Sequence, residues 1–239
     1  MRYLMATLTL GPLLLLQGRH VRRVTPVLPE PPGLREGQSG SGPALRLLIV
    51  GDSAAAGVGA ATQNEALSGQ LVAALARDYR VSWKLLARTG STTPDALAWL
   101  RQLPRESFDV VVTSLGVNDV TANRHPARWL RDKSQLIELL RQEYGAALVL
   151  VSALPPMHRF PALPQPLRWY LGAQARDYNR LLQAWLASCP GCRLEAVEAP
   201  QYGEQLIASD GFHPGPGFYR LWAAQLAATV RRHGPAAGR

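Results

Sequence analysis

Leu45 to Val50 reads LRLLIV and stops at a glycine. A run this short and this apolar does not alternate between a wet and a dry face. As a strand it must be covered on both sides, the condition of a strand inside a parallel sheet. The pattern recurs at 108–116 (FDVVVTSLG) and 147–154 (ALVLVSAL), with a more mixed version at 81–87 (VSWKLLA) and a half-exposed one at 192–199 (CRLEAVEA). Between these runs, apolar residues fall at helical spacing over 66–79, 94–103, 126–144, 168–187 and 215–232. Pro94 suits the first turn of its helix, where an N–H has no internal acceptor to lose. Strands alternating with helices in this way predict an α/β fold: a doubly wound, mostly parallel sheet of five strands with helices on both faces. Ligands of such sheets bind at the carboxyl ends of the strands, so functional residues are sought directly after each one.

The alternation leaves both ends of the chain outside it. Residues 3–16, YLMATLTLGPLLLL, are mostly apolar and lead into Arg19, Arg22 and Arg23. As a helix this stretch covers about 21 Å, short of the roughly 30 Å hydrocarbon core of a bilayer, and Pro12 disturbs it. The basic flank on its C-terminal side predicts a short membrane-contacting anchor for residues 1–23, with the rest of the chain facing the cytoplasm. A cleaved signal peptide with export, or a helix packed on the domain, are the alternatives; no small-x-small cleavage site follows residue 16. Residues 24–43 are rich in proline and glycine and lack periodicity, which predicts a linker, stiff first and flexible later. One folded domain is expected over 44–232, followed by a basic tail at 233–239.

The net charge of +9 sits on those ends. Residues 1–46 hold six arginines against two glutamates, and the last nine residues hold three arginines, whereas 47–230 carry 17 basic and 15 acidic residues. A nucleic-acid binder carries its charge as a patch on the folded body, so that partner is not expected. Two cysteines exclude a disulfide scaffold, and no apolar run of 18 residues implies a polytopic membrane protein.

Four strand or loop ends carry residues with chemistry. Gly51-Asp52-Ser53 places a serine after the first strand and before a helix start, as a presented nucleophile or as a helix N-cap. Gly90 follows the second strand, as a bare backbone N–H near a ligand or as a turn glycine. Asn118, in Gly116-Val117-Asn118-Asp119, can donate to a developing oxyanion or form an Asx turn. Asp210-Gly211-Phe212-His213-Pro214 sets a carboxylate three residues before a histidine, where it can fix the imidazole's tautomer and orientation. His125 and His158 are the other histidines outside the tails, and neither follows a carboxylate so closely. Cys189-Pro190-Gly191-Cys192 falls between a helix and a strand and reads as a structural turn. Metal-ligand spacings such as HExxH or paired CxxC are absent, so neither a metal nor a cofactor is expected.

Taken in order, these blocks resemble the SGNH (GDSL) hydrolase family over about residues 45–232. The resemblance implies a flavodoxin-like three-layer fold, a Ser53 nucleophile, a His213 base and an Asp210 orienter. It implies an oxyanion hole from the backbone N–H groups of Ser53 and Gly90 and the side chain of Asn118. The expected substrate is a small-molecule or lipid ester, a lipid-like or short-chain aryl/alkyl ester foremost, with the N-terminal anchor making lysophospholipid a candidate and a sugar acetyl ester the runner-up. Acyl transfer, thioester hydrolysis and a non-catalytic binding role on the same fold are the alternatives. Ala54-Ala55 and Gly215 depart from common family residues at positions that affect packing and a helix cap. A dinucleotide-binding reading of Gly57-Val58-Gly59 fails because Thr62 takes the third glycine position and no acid ends the second strand. The segment 155–170 is expected to wall the pocket, with Met157, Phe160, Leu163, Trp169 and Tyr170 suited to an acyl chain and His158 and Arg159 to a head group.

Overall fold

In a computed structural model, residues 2–197 and 206–235 are described, with side chains from residue 9 onward. In chain order the elements are α1 (Arg2–Val24), β1 (Glu36–Ser39), β2 (Ala44–Gly51), α2 (Ser53–Ala56), α3 (Leu67–Leu75), β3 (Arg80–Ala87), α4 (Thr93–Leu100), β4 (Val110–Ser114), α5 (Val117–Thr121), α6 (Pro126–Gln142), β5 (Leu148–Ser152), α7 (Leu167–Leu186), β6 (Cys192–Glu195) and α8 (Pro216–His233). They build an α/β sheet in the order β1-β3-β2-β4-β5-β6, with all neighbours parallel except β1 and β3.

Burial on both faces follows from the strand sequences. In β2, Leu47 and Ile49 join one apolar cluster with α3 and α8, while Leu48 and Val50 join the other with α4, α6 and α7. All four side chains are fully buried. The register sets the strand ends level. Gly51 pairs with Ala87 on one side and Ser114 on the other, and Thr113 pairs with Val151. The segments that follow β2, β3, β4 and β5 therefore leave the sheet at a single edge.

Two expectations are corrected. The sheet has six strands, not five, because Glu36–Ser39 lies inside the expected linker and pairs with β3 from Glu36↔Lys84 to Ser39↔Val81. Its sequence, EGQS, is exposed throughout and carries no apolar period. The strand forms because the edge of β3 offers unpaired backbone donors and acceptors. The residues before it are docked as well: Glu30 accepts from Thr89 N and Oγ1 at 2.9 and 2.6 Å, and Arg35 donates to the Ala87 carbonyl at 2.5 Å. The folded body thus begins well before Ala44.

The N-terminal helix is 23 residues long, continuing through Pro12 and past the apolar stretch into the arginines. Leu14 and Val21 are buried in the cluster of α4, α6 and α7. No described helix is long and apolar enough to cross a membrane. Part of the fifth predicted strand, and the end of the basic tail, lie outside the described residues.

Candidate active site

Gly51 ends β2 and Asp52 turns the chain. Asp52, not Ser53, is the N-cap of α2, its Oδ1 accepting from Ala54 N at 3.1 Å. The capping reading of Ser53 is thereby removed, and its hydroxyl is left for another partner. That partner is His213, whose Nε2 lies 2.9 Å from Ser53 Oγ. On the other side of the ring, Nδ1 lies 2.5 Å from Asp210 Oδ2. With Nδ1–H donating to the carboxylate, Nε2 is left to accept the serine proton.

The Asp-x-x-His loop is held rigidly. Asp210 Oδ1 accepts from the backbone N–H groups of Phe212 and His213, both at 2.9 Å, and Ala208 N donates to the His213 carbonyl at 2.8 Å. Burial pushes the Asp210 carboxyl up, but the His213 ring and the two backbone N–H groups outweigh it and hold the acid below its ordinary value. It stays ionised beside the imidazole. Phe212 covers the ring edge-on, its centroid 5.4 Å from that of His213.

The expected oxyanion donors lie at the ends of β2, β3 and β4 on one side of the sheet. Gly90 has φ +81°, a conformation other residues adopt at a cost. Neither its N–H nor that of Ser53 donates to any described acceptor. Asn118 follows β4 on α5 and donates one Nδ2 hydrogen to the Ser91 carbonyl at 2.9 Å, keeping the second. Next to it, Asp119 accepts from Thr93 N and Oγ1 at 3.0 and 2.8 Å. The loops after β3 and β4 are thus stitched together by two neighbouring residues. His125 instead caps α6, accepting from Ala127 N, and His158 lies against Arg176.

The model of the GDSL-like lipase/acylhydrolase family matches residues 49–221, nearly three quarters of the chain. The chain belongs to that family. Its sequence is 27% identical over 244 residues to a GDSL-like esterase of Mycobacterium tuberculosis, covering 92% of this chain and 76% of that one. Among solved structures, a lipase from a goat rumen metagenome superposes with a TM-score of 0.62 at 20% identity, covering 82% of this chain and 99% of that one. A G-D-S-L lipolytic protein from Veillonella parvula gives 0.60 at 17% identity, covering 78% and 98%. These likenesses establish the shared fold.

Beside Ser53 and His213, this GDSL-family hydrolase has a cavity of about 170 Å³, walled mainly by apolar side chains including Leu115, Leu154, Phe160 and Trp222. Asn179 of α7 clamps the wall, accepting from Leu154 N at 2.8 Å and donating to Leu154 O at 2.9 Å. Of the five apolar residues expected to line the pocket from 155–170, Phe160 does. Met157 and Leu163 are buried in the helix-packing cluster, Tyr170 bonds toward Asn123, and Trp169 is exposed.

Behind the loops lies a buried charge cluster that the sequence reading missed. Lys133 is fully buried on α6 and donates to the Leu115 carbonyl at 3.2 Å. Burial pulls its ammonium down to about 8, opposed by the carboxylates of Asp119 and Asp52. Burial likewise pushes Asp52 up to about 6, opposed by Ala54 N–H, His213 and Lys133, and raises Asp119 despite its Thr93 bonds. A signal was available: Lys133 falls on the same helical stripe as Trp129, Leu136, Ile137 and Leu140. Cys189 sits in the turn between α7 and β6 and Cys192 begins β6, at the opposite end of the strands. Burial, with Cys189 beside it, pushes the Cys192 thiol up to about 12, away from a reactive thiolate.

Proposed function

We propose that the protein is a serine ester hydrolase in which Ser53 is the nucleophile, His213 the general base and Asp210 its orienter. The observation that carries this reading is the hydrogen-bonded line from Ser53 Oγ through His213 to Asp210, at 2.9 and 2.5 Å, opening on an apolar cavity. As Ser53 Oγ attacks the ester carbonyl, its proton passes to His213 Nε2 and the carbonyl oxygen becomes an oxyanion. The N–H groups of Ser53 and Gly90 and the second Nδ2 hydrogen of Asn118 are the donors for it, each worth about 3 kcal/mol where such donors have been removed. Collapse expels the alcohol, which takes the proton from His213, and leaves an acyl ester on Ser53. Water then attacks that ester as His213 takes its proton, and the carboxylic acid departs as Ser53 recovers its hydrogen.

The apolar lining favours a lipid-like or short-chain acyl ester over an acetyl group on a sugar, because a chain of several methylenes gains about 0.8 kcal/mol per buried CH₂. Thioester hydrolysis and acyl transfer share the first half of the reaction and differ in the leaving group or the acceptor. The test is intact-mass analysis of the full chain after exposure to a fluorophosphonate, with Ser53→Ala and His213→Ala alongside. A single adduct on the wild type and none on either variant is expected. Hydrolysis of nitrophenyl esters from acetate to decanoate should then peak beyond acetate. A folded wild type that takes no adduct would move the non-catalytic reading to the front.

A further inference from the structure

Six of the nine exposed large apolar residues among those described lie between residues 13 and 34, and four of them sit on α1: Leu13, Leu15, Leu16 and Val24, at 43, 63, 63 and 53% exposure. The helix is not loose. Leu14 and Val21 are buried, and Gln17 between them donates to the Gln165 carbonyl at 2.7 Å and accepts from Leu167 N at 3.1 Å. This stripe fixes α1 on the chain segment that leads into α7, so the opposite face is the one turned to solvent. That face is divided along the axis. Its N-terminal part presents the three leucines, and the next two turns present exposed Arg19, Arg22 and Arg23. None of the three arginines has a carboxylate within ion-pair distance among the described residues. Gln165, which holds Gln17, also accepts from the backbone N–H of Trp169, a tryptophan 46% exposed.

Apolar side chains followed within about 4 to 10 Å along a helix by unpaired arginines match the depth profile of a bilayer surface with anionic headgroups. An exposed tryptophan near the helix, linked to it through Gln165, suits the interfacial layer. We infer that α1, with Trp169 beside it, is a docking surface for an anionic lipid bilayer: the leucine end enters the acyl boundary and the three arginines hold the phosphates. This inference does not depend on Ser53 being a nucleophile.

The test is co-sedimentation of the full chain with phosphatidylcholine vesicles and with vesicles containing phosphatidylglycerol. Two variants accompany it, Arg19→Gln/Arg22→Gln/Arg23→Gln and Leu15→Ser/Leu16→Ser, with thermal unfolding and the fluorophosphonate adduct as folding controls. Both variants change only exposed side chains outside the candidate site, so melting and adduct formation should be unchanged. Wild type should pellet with the anionic vesicles far more than with the neutral ones. The arginine variant should bind about 100-fold more weakly, near fivefold for each charge removed, and the leucine variant at least about tenfold more weakly. Wild type left in the supernatant with anionic vesicles overturns the inference, as does equal binding to both vesicle types or binding indifferent to the arginines. A leucine variant that instead changes a dimer into a monomer on gel filtration would overturn it in favour of a second copy of the chain.

Discussion

Replacing Lys133 by methionine leaves an unbranched side chain one atom shorter and deletes its charge and one hydrogen bond, to the Leu115 carbonyl. What remains is the problem. Asp119 is fully buried, its Oδ1 has no hydrogen-bond partner, and Arg124 Nε approaches no closer than 3.9 Å. Removing one member of a buried charged set leaves the others uncompensated, a loss on the order of 3 kcal/mol. In a chain of this size that lowers the melting temperature by roughly 6 to 12 °C. The double variant Lys133→Met/Asp119→Asn loses the same hydrogen bond but no longer holds the Asp119 carboxylate, and neutral replacements of buried ion sets cost little. It should recover most of the stability. The pH dependence adds a second check. Asp119 is raised in the folded state, so its contribution is fully present below the unfolded carboxylate value and is lost as pH rises through the folded one. The deficit of the single variant should therefore shrink toward pH ~4. Urea unfolding followed by tryptophan fluorescence reads all of this, provided the slope stays constant. A single variant as stable as wild type, or a double variant weaker than the single one, would refute the reasoning.

Asp210→Asn should leave the fold intact and cut ester turnover by a factor on the order of 10³ to 10⁴, because the amide favours the wrong imidazole tautomer; steady-state rates with unchanged melting check it. Asn118→Ala should lower kcat by roughly 10² to 10³ with little effect on KM, since the lost N–H acts only once charge develops; a change confined to KM would contradict the assignment. Asp52 is raised to about 6 by burial, so its folded carboxyl is favoured protonated and stability is lost as pH rises from ~3.8 through 6. Asp52→Asn keeps an N-capping acceptor and removes that loss, so its stability relative to wild type should increase by about 2 kcal/mol between pH 4 and pH 7; a difference that does not vary with pH would sink the prediction.

The inner strands were legible because burial on both faces leaves a continuous apolar run, as in LRLLIV, and the candidate site was legible because Ser53, Gly90 and Asn118 follow strands of the sheet while Asp210 stands three residues before His213. β1 was illegible for the converse reason. EGQS buries nothing, and its strand conformation comes from the edge it pairs with, a partner more than 40 residues away. Periodicity also says that a residue is buried without saying against what. Met157 and Phe160 are three residues apart and both buried, yet one packs among helices and the other walls the cavity. Lys133 was legible in principle, since a charge in the apolar stripe of α6 has to be compensated by something.

The strap formed by residues 30–39 has a consequence for how this enzyme can be handled. Pairing with β1 blunts the edge of β3, and Glu36 of the strap pairs there with Lys84 of β3. A chain cut back to Ala44, where composition alone would place the boundary, would bare a long open strand edge to its neighbours and invite sheet-to-sheet association in solution. The same cut would remove Glu30, the carboxylate that pins Thr89 one residue before Gly90. Precipitation and a slack loop before Gly90 would then arrive together, and a weak rate measured on such a fragment would reflect the cut rather than the chemistry.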